Sequence, residues 1–254
     1  MLLVLDVGNT NIVLGLFQDE KLLHDWRIAT DKFRTVDEYG ILIKSFFSDK
    51  GLSTKDVHAV VLSSVVPSIN PVLGDMCDKY LNQKPLLVEP GIKTGLLIKY
   101  DNPKEVGADR IVNAIAAINL YGAPAVIVDF GTATTFCAIS HKKEYLGGAI
   151  APGIGISSEA LFQRAAKLPR VELIKPASAI GRSTVQSMQS GIIYGFVGQV
   201  KEIVHKIKSE MEGKPIVIAT GGLAELIATE AGIFDIIDPH LTLKGLRLVY
   251  LMNK

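Results

Sequence analysis

A chain of 254 residues, 48% hydrophobic and 21% charged, has the makeup of a globular protein with room for one large domain or two of ordinary size. Its 27 Lys and Arg balance 26 Asp and Glu, and a net charge of +1 argues against nucleic acid or an anionic membrane as the main partner. Cys77 and Cys137 form no CxxC pattern, which predicts a reduced, cytoplasmic protein, and the strand-like run from Leu2 has no basic segment before it, which predicts no signal peptide.

The first element is "VLDVGNTNIVLGLF", residues 4–17, two apolar runs joined by a polar tip. Asp6, Gly8, Asn9, Thr10 and Asn11 are more polar residues than a tight turn requires. "TVDEYGILIKSFF" (35–47) opens on a capping box from Thr35 to Glu38 and continues with apolar residues at helical spacing. "VHAVVLSS" (57–64) reads as a buried strand, "SINPVLGDMCDKYL" (68–81) as a helix, "PLLVE" (85–89) as a short strand and "GLLIKY" (95–100) as strand-like. A helix starts near Gly107. The uncharged stretch from Ile111 to Val128 is long enough to raise a membrane span. Gly122 and Pro124 split it and Asn113 and Asn119 interrupt it, so the prediction is a buried helix followed by a buried strand. "EYLGGAIAPG" (144–153) is a strand and "GISSEALFQRAA" (155–166) a helix. Ser183 to Gln186 reads as a second capping box. It opens a long helix over 184–212, with Val185, Met188, Ile192, Phe196, Val200, Ile203, Ile207 and Met211 spaced by three or four. "KPIVIATGG" (214–222) is a strand entering a glycine turn, followed by a helix.

The chain repeats itself. "VLDVGNTNIVLGL" (4–16) aligns without a gap on "IVDFGTATTFCAI" (127–139), placing Asp6 on Asp129, Gly8 on Gly131, Asn9 on Thr132, Thr10 on Ala133 and Asn11 on Thr134. The expected architecture is therefore α/β and duplicated, with domains at 1–121 and 122–254 and a cleft between them lined by two polar hairpin tips. Gly8 and Gly131 let the backbone come close to a ligand, and N–H groups with Asn9, Thr10, Asn11 and Thr132 can donate to phosphate oxygens. An ionised Asp6 would repel those phosphates unless a cation intervenes, which points to Mg²⁺, bound directly or through water. Asp129 invites the same argument. The plainer account, that Asp and Gly build type I′ turns, loses ground because the pattern occurs twice. There is no P-loop, protein-kinase motif set or G-x-S-x-G elbow. The five histidines, His24, His58, His141, His205 and His240, lack metal-ligand spacing.

With its duplicated ribonuclease-H-like halves, the chain resembles the superfamily of sugar kinases, actin and the seventy-kilodalton heat-shock chaperones. Within it, "LDVGNTN" (5–11), "GADRIVNA" (107–114), "VDFGTATTF" (128–136) and "GGAIAPGI" (147–154) resemble type III pantothenate kinases. The resemblance covers essentially the whole chain. It implies ATP-dependent phosphorylation of pantothenate, the first step of coenzyme A biosynthesis. ATP is expected on Asp6, Val7, Gly8, Asn9, Thr10, Asn11, Ile12, Val13 and Thr132, with Mg²⁺ at Asp6 and K⁺ or NH₄⁺ at Asp129. Pantothenate is expected on Tyr100, Gly107, Ala108, Asp109, Arg110 and Thr184, with Asp109 as the catalytic base. Read without the resemblance, Asp109 is a first-turn acid favoured by the helix dipole, Arg110 a surface charge, Tyr100 a packing residue and Thr184 the first residue of its helix. Gly221 and Gly222 are expected to let the nucleoside lie near the backbone. A homodimer is expected from the long helix itself, where Gly191, Gly195 and Gly198 fall within two turns and cost helix stability, as they would if a second backbone approached there. The rival readings are another small-molecule kinase of the superfamily and a non-catalytic nucleotide-binding regulator.

Overall fold

The computed structural model describes residues 1–254. They form two compact units, one of residues 1–95, 104–115 and 242–254, the other of residues 96–103 and 116–241. The sequence suggested a single division between residues 121 and 122, whereas these units also exchange a short segment and the C-terminal helix.

The first unit carries β1 (Leu2–Val7), β2 (Asn11–Gln18), β3 (Lys21–Ala29), α1 (Val36–Asp49), β4 (Ala59–Ser64), α2 (Asn70–Leu81) and β5 (Leu86–Leu87). The sheet order is β3-β2-β1-β4-β5, with β1 antiparallel to β2 and parallel to β4. Helix α1 starts where the sequence predicted. Thr35 accepts from the Glu38 amide, and the Glu38 carboxylate accepts from the Thr35 amide at 2.7 Å. Such a cap stabilises a helix by about 1 kcal/mol. Tyr39, Ile43 and Phe47, one turn apart, then face Leu3, Leu5, Ile12 and Leu14 of the sheet.

The linker strand β6 (Leu97–Ile98) and helix α3 (Ala108–Leu120) lead to β7 (Ala125–Phe130), β8 (Ala133–Ile139) and β9 (Glu144–Pro152). Helices α4 (Ile154–Arg164) and α5 (Thr184–Glu210), strand β10 (Ile216–Thr220), helix α6 (Ala224–Ala231) and β11 (Ile236–Ile237) follow. The second sheet runs β11-β10-β7-β8-β9-β6. Without β6 it reproduces the first sheet strand for strand, so the duplication read from two hairpins holds for both sheets. The last helix, α7 (Leu241–Asn253), belongs with the first unit, where Leu243, Leu246 and Val249 join Val112 and Ile115 of α3 on Leu2, Val4 and Val61. No helix is long and apolar enough to cross a membrane. The stretch from Ile111 to Val128 is a helix and then a strand, and Asn113, 2% exposed, accepts a hydrogen bond from Thr242 Oγ1.

Three sequence expectations need correction. The gapless alignment fails at the tips. Val7 pairs with Ile12, leaving a four-residue loop, but Phe130 pairs with Thr134, leaving three. Thr134 is thus the counterpart of Ile12, not of Asn11, and neither loop has the two residues of a type I′ hairpin. The box at Ser183 is half formed. Its side chain accepts from the Gln186 amide, but the Gln186 side chain accepts from the amide of Arg182 instead of Ser183. Helix α5 also stops at Glu210, two residues early.

Candidate active site

Within the first unit, the ends of β1 and β4 and the start of α3 come together. Asp6 and Ser63 are register partners on the parallel strands β1 and β4. Ser63 is fully buried, and its Oγ donates to Asp6 Oδ1 at 2.6 Å. Beyond Asp6, the Gly8 amide donates to Asn11 O at 3.0 Å and closes the tip. Thr30, at the end of β3, braces it from outside, with Oγ1 donating to Gly8 O at 2.6 Å and its amide donating to Thr10 O at 2.9 Å. Asn9 and Thr10 are exposed at the apex. Val7 and Ile12 are fully buried, so their side chains cannot meet a ligand and only their backbone remains for that purpose.

The Gly107–Arg110 motif lies next to this tip. The Val65 amide donates to Val7 O at 3.0 Å, and Val65 Cγ1 is 3.8 Å from where a Cβ on Gly107 would stand. That Cβ would also lie 2.5 Å from Asp109 Oδ1, so only glycine leaves the carboxylate its position. Oδ1 accepts from the Arg110 amide at 2.8 Å, as a first-turn acid should. Burial nevertheless raises the Asp109 pKa above the ordinary carboxylate value, against the opposing pull of the Arg110 amide and charge. A helix-capping acid alone would titrate lower, so this group combines a structural hydrogen bond with the environment of a proton acceptor. Arg110 is no surface charge, being 6% exposed. Ala108 packs at the margin of the core shared by β1, α3 and α7.

In the second unit, Asp129 lies near the end of β7 beside the turn after β10. Gly221 there has φ +94, and a Cβ on it would stand 2.5 Å from Asp129 Oδ1. The missing side chain thus makes room for the carboxylate. Thr132 is exposed in the three-residue tip. Pro152 pairs with Ala133, so α4 begins beside that tip, and Ser157 at its first turn shares a groove of about 550 Å³ with Thr184, Met188, Gly191, Gly195 and Phe196. Tyr100 stands elsewhere. Two residues beyond Ile98, it is level with Gly147 and Ala138, four positions along β8 from Thr134, and its ring lies 6.4 Å from that of Tyr145.

Nowhere do three or more His, Cys, Asp or Glu side chains converge on a metal-sized site. The sequence reading overlooked Ser63 and Thr30. Ser63 carried a signal, a hydroxyl where the strand "VHAVVLSS" should be apolar; Thr30 carried none.

A family model described as type III pantothenate kinase matches residues 2–206. A type III pantothenate kinase of Brevibacillus brevis is 59% identical over 254 residues, covering all of both chains. One of Bacillus cytotoxicus is 60% identical over 253 residues, covering all of this chain and 97% of that one. Among solved structures, the ethanolamine utilization protein EutJ of Carboxydothermus hydrogenoformans superposes with a TM-score of 0.56 at 13% identity, over 97% of this chain and 89% of that one, a likeness of fold alone.

Proposed function

The chain belongs to the type III pantothenate kinase family, and on that premise we propose which of its residues carry the reaction. It is an ATP-dependent kinase that phosphorylates pantothenate to 4′-phosphopantothenate, the first step of coenzyme A biosynthesis. The alcohol oxygen of pantothenate forms a bond to the γ-phosphorus of ATP, the bond from that phosphorus to the β-bridging oxygen breaks, and ADP leaves.

Asp109 takes the proton of that alcohol. The observation that carries this assignment is its half-buried carboxyl, raised in pKa by desolvation and adjacent to the hairpin tip through Val65. A carboxylate whose proton affinity burial has raised is a better acceptor at neutral pH than an exposed one. Arg110 meets the carboxylate end or the amide groups of pantothenate, aided by Gly107 and Ala108 at the helix start, and Tyr100 and Thr184 supply further contacts.

The phosphates of ATP lie against the tip of the first unit, between Asp6 and Val13. Gly8 admits close approach, Asn9, Thr10 and Asn11 donate, and Val7, Ile12 and Val13 serve through their backbone. Thr132, exposed in its own three-residue tip, is a further hydroxyl donor for ATP. Asp6 is the sole carboxylate of its tip. That donor set fits Mg²⁺, which keeps most of its ligands as water and phosphate oxygen and takes one or two from protein carboxylates. When bound, the ion neutralises charge on the transferring phosphoryl group. Asp129 stands beside the Gly221 turn and accepts K⁺ or NH₄⁺. The enzyme works as a homodimer. A methyl group added at Gly191, Gly195 or Gly198 would meet no atom within 4 Å, so these glycines do not serve the helix's own packing. Gly191 and Gly195 line the groove that contains Thr184. Cys77 and Cys137, buried and not joined in a disulfide, suit a reducing compartment, the cytoplasm.

The test incubates the protein with ATP, Mg²⁺ and a panel of alcohols and identifies products by mass spectrometry. Phosphorylation of pantothenate in preference to small sugars supports the reading. A protein that phosphorylates a sugar and leaves pantothenate untouched refutes it.

A further inference from the structure

The two acids that open the hairpins are flanked differently. In each unit a hydroxyl residue on the neighbouring parallel strand is the register partner of the aspartate: Ser63 for Asp6 and Thr220 for Asp129. Both hydroxyl residues are fully buried. In the first unit the hydroxyl is committed to the carboxylate, at 2.6 Å. In the second, Thr220 Oγ1 has no hydrogen-bond partner, and the Asp129 carboxylate sits against Gly221. The same two-strand frame thus holds one acid by a hydroxyl and leaves the other to the glycine turn.

The first arrangement has a clear physical consequence. Alternation along β1 and β4 puts Asp6 on the face of Leu2 and Val4, and Ser63 on the face of Val61, the apolar layer covered by α3 and α7. A serine buried there without a partner would be destabilising. A short O–H···O⁻ bond is among the strong ones, and it removes rotational freedom from the aspartate. It also leaves the position at the C-terminal ends of parallel strands, where open α/β sheets bind ligands. From this geometry we infer that Ser63 is a positioning residue: its hydroxyl holds the Asp6 carboxylate in the orientation that receives the Mg²⁺ of the nucleotide. The inference rests on the proposed role of Asp6. Groups that orient a metal-handling ligand are worth about 10- to 100-fold in metal affinity.

The experiment measures Mn²⁺ bound by the full-length protein with a non-hydrolysable ATP analogue, by electron paramagnetic resonance, without turnover. Ser63→Ala is expected to weaken Mn²⁺ binding at least tenfold, with pantothenate binding unchanged by calorimetry. Ser63→Thr, which keeps the hydroxyl, is expected to stay near wild type. Should the alanine variant fail to fold, Ser63→Cys carries the test, since its thiol is similar in size and a weak donor. In an Asp6→Asn background, removal of the Ser63 hydroxyl is expected to have no further effect, whereas a merely structural serine would weaken binding equally in both backgrounds. Wild-type affinity in Ser63→Ala, with Asp6→Asn impaired, overturns the role of Ser63 alone. Wild-type affinity in Asp6→Asn overturns the reading of Asp6 and the inference with it.

Discussion

The three glycines of α5 allow a sharp test of the homodimer. Gly191, Gly195 and Gly198 are exposed on a 27-residue helix, and a methyl group at each would meet no atom of the chain within 4 Å. In a chain acting alone, each Gly→Ala change therefore adds helix propensity without a clash, worth about 0.8–1 kcal/mol. Together the three give roughly 3 kcal/mol. For a protein of this size about 1 kcal/mol moves Tm by ~2–4 °C, so the triple variant of a monomer gains about 6–12 °C. The account predicts otherwise. If a second α5 approaches these backbones across a two-fold axis, every methyl is met again on the partner and the helices are pushed apart. Thermal unfolding and sedimentation equilibrium of the Gly191→Ala, Gly195→Ala, Gly198→Ala variant decide between them. The expected result is a weakened dimer, no net gain in Tm and reduced kinase activity. A gain of the full ~6–12 °C with activity intact refutes the reasoning from these glycines.

The remaining predictions concern the two acids and the shared pocket. Burial raises the Asp109 pKa, and a base must be deprotonated to work, so the acid limb of kcat/KM for pantothenate is expected to lie above the ordinary carboxylate value of about 3.9; a limb at or below that value contradicts the assignment. Rates in K⁺ or NH₄⁺ buffer are expected to exceed those in Na⁺, and Asp129→Ala is expected to abolish the difference; equal wild-type rates in the two salts count against the cation site. Gly221→Ala forces a side chain against Asp129 Oδ1 at φ +94 and is expected to remove the K⁺ response as well, read by the same salt comparison. Mixed dimers of Asp109→Asn with Thr184→Arg are expected to regain part of the activity if Thr184 serves the neighbouring pocket; exchanged dimers that stay inactive show that it does not.

Much of the frame was legible because its signals are local. The Thr35–Glu38 box, the spacing of Tyr39, Ile43 and Phe47 and the stripe on α5 each depend on residues within a few turns. Strand β3 and helix α7 escaped the reading. The outer strand β3 alternates only partly buried residues with exposed ones, and α7 acquires its buried side only through long-range packing on β1 and α3. The one-residue difference between the hairpin tips was hidden because matching Asp and Gly residues precede the gap, and only strand register exposes it. In the site, Asp6, Asp109 and Asp129 announce themselves as acids in glycine motifs. Thr30 does not, and Ser63 shows only a hydroxyl out of place in an apolar strand, because the significance of each comes from a contact 22 and 57 residues away in the chain, respectively. Arg110 illustrates the same limit, since nothing in its neighbours along the chain foretells that its side chain is 6% exposed.

The role of Asp109 is tested most directly by pantothenate-dependent ADP release from purified Asp109→Asn protein, with pantothenate binding followed in parallel by calorimetry. Asparagine keeps the oxygen that accepts from the Arg110 amide, so the start of α3 and the affinity for pantothenate should survive. Turnover should fall by about two orders of magnitude or more, the scale of a lost general base. Near-normal turnover in a protein that still binds pantothenate would contradict the account.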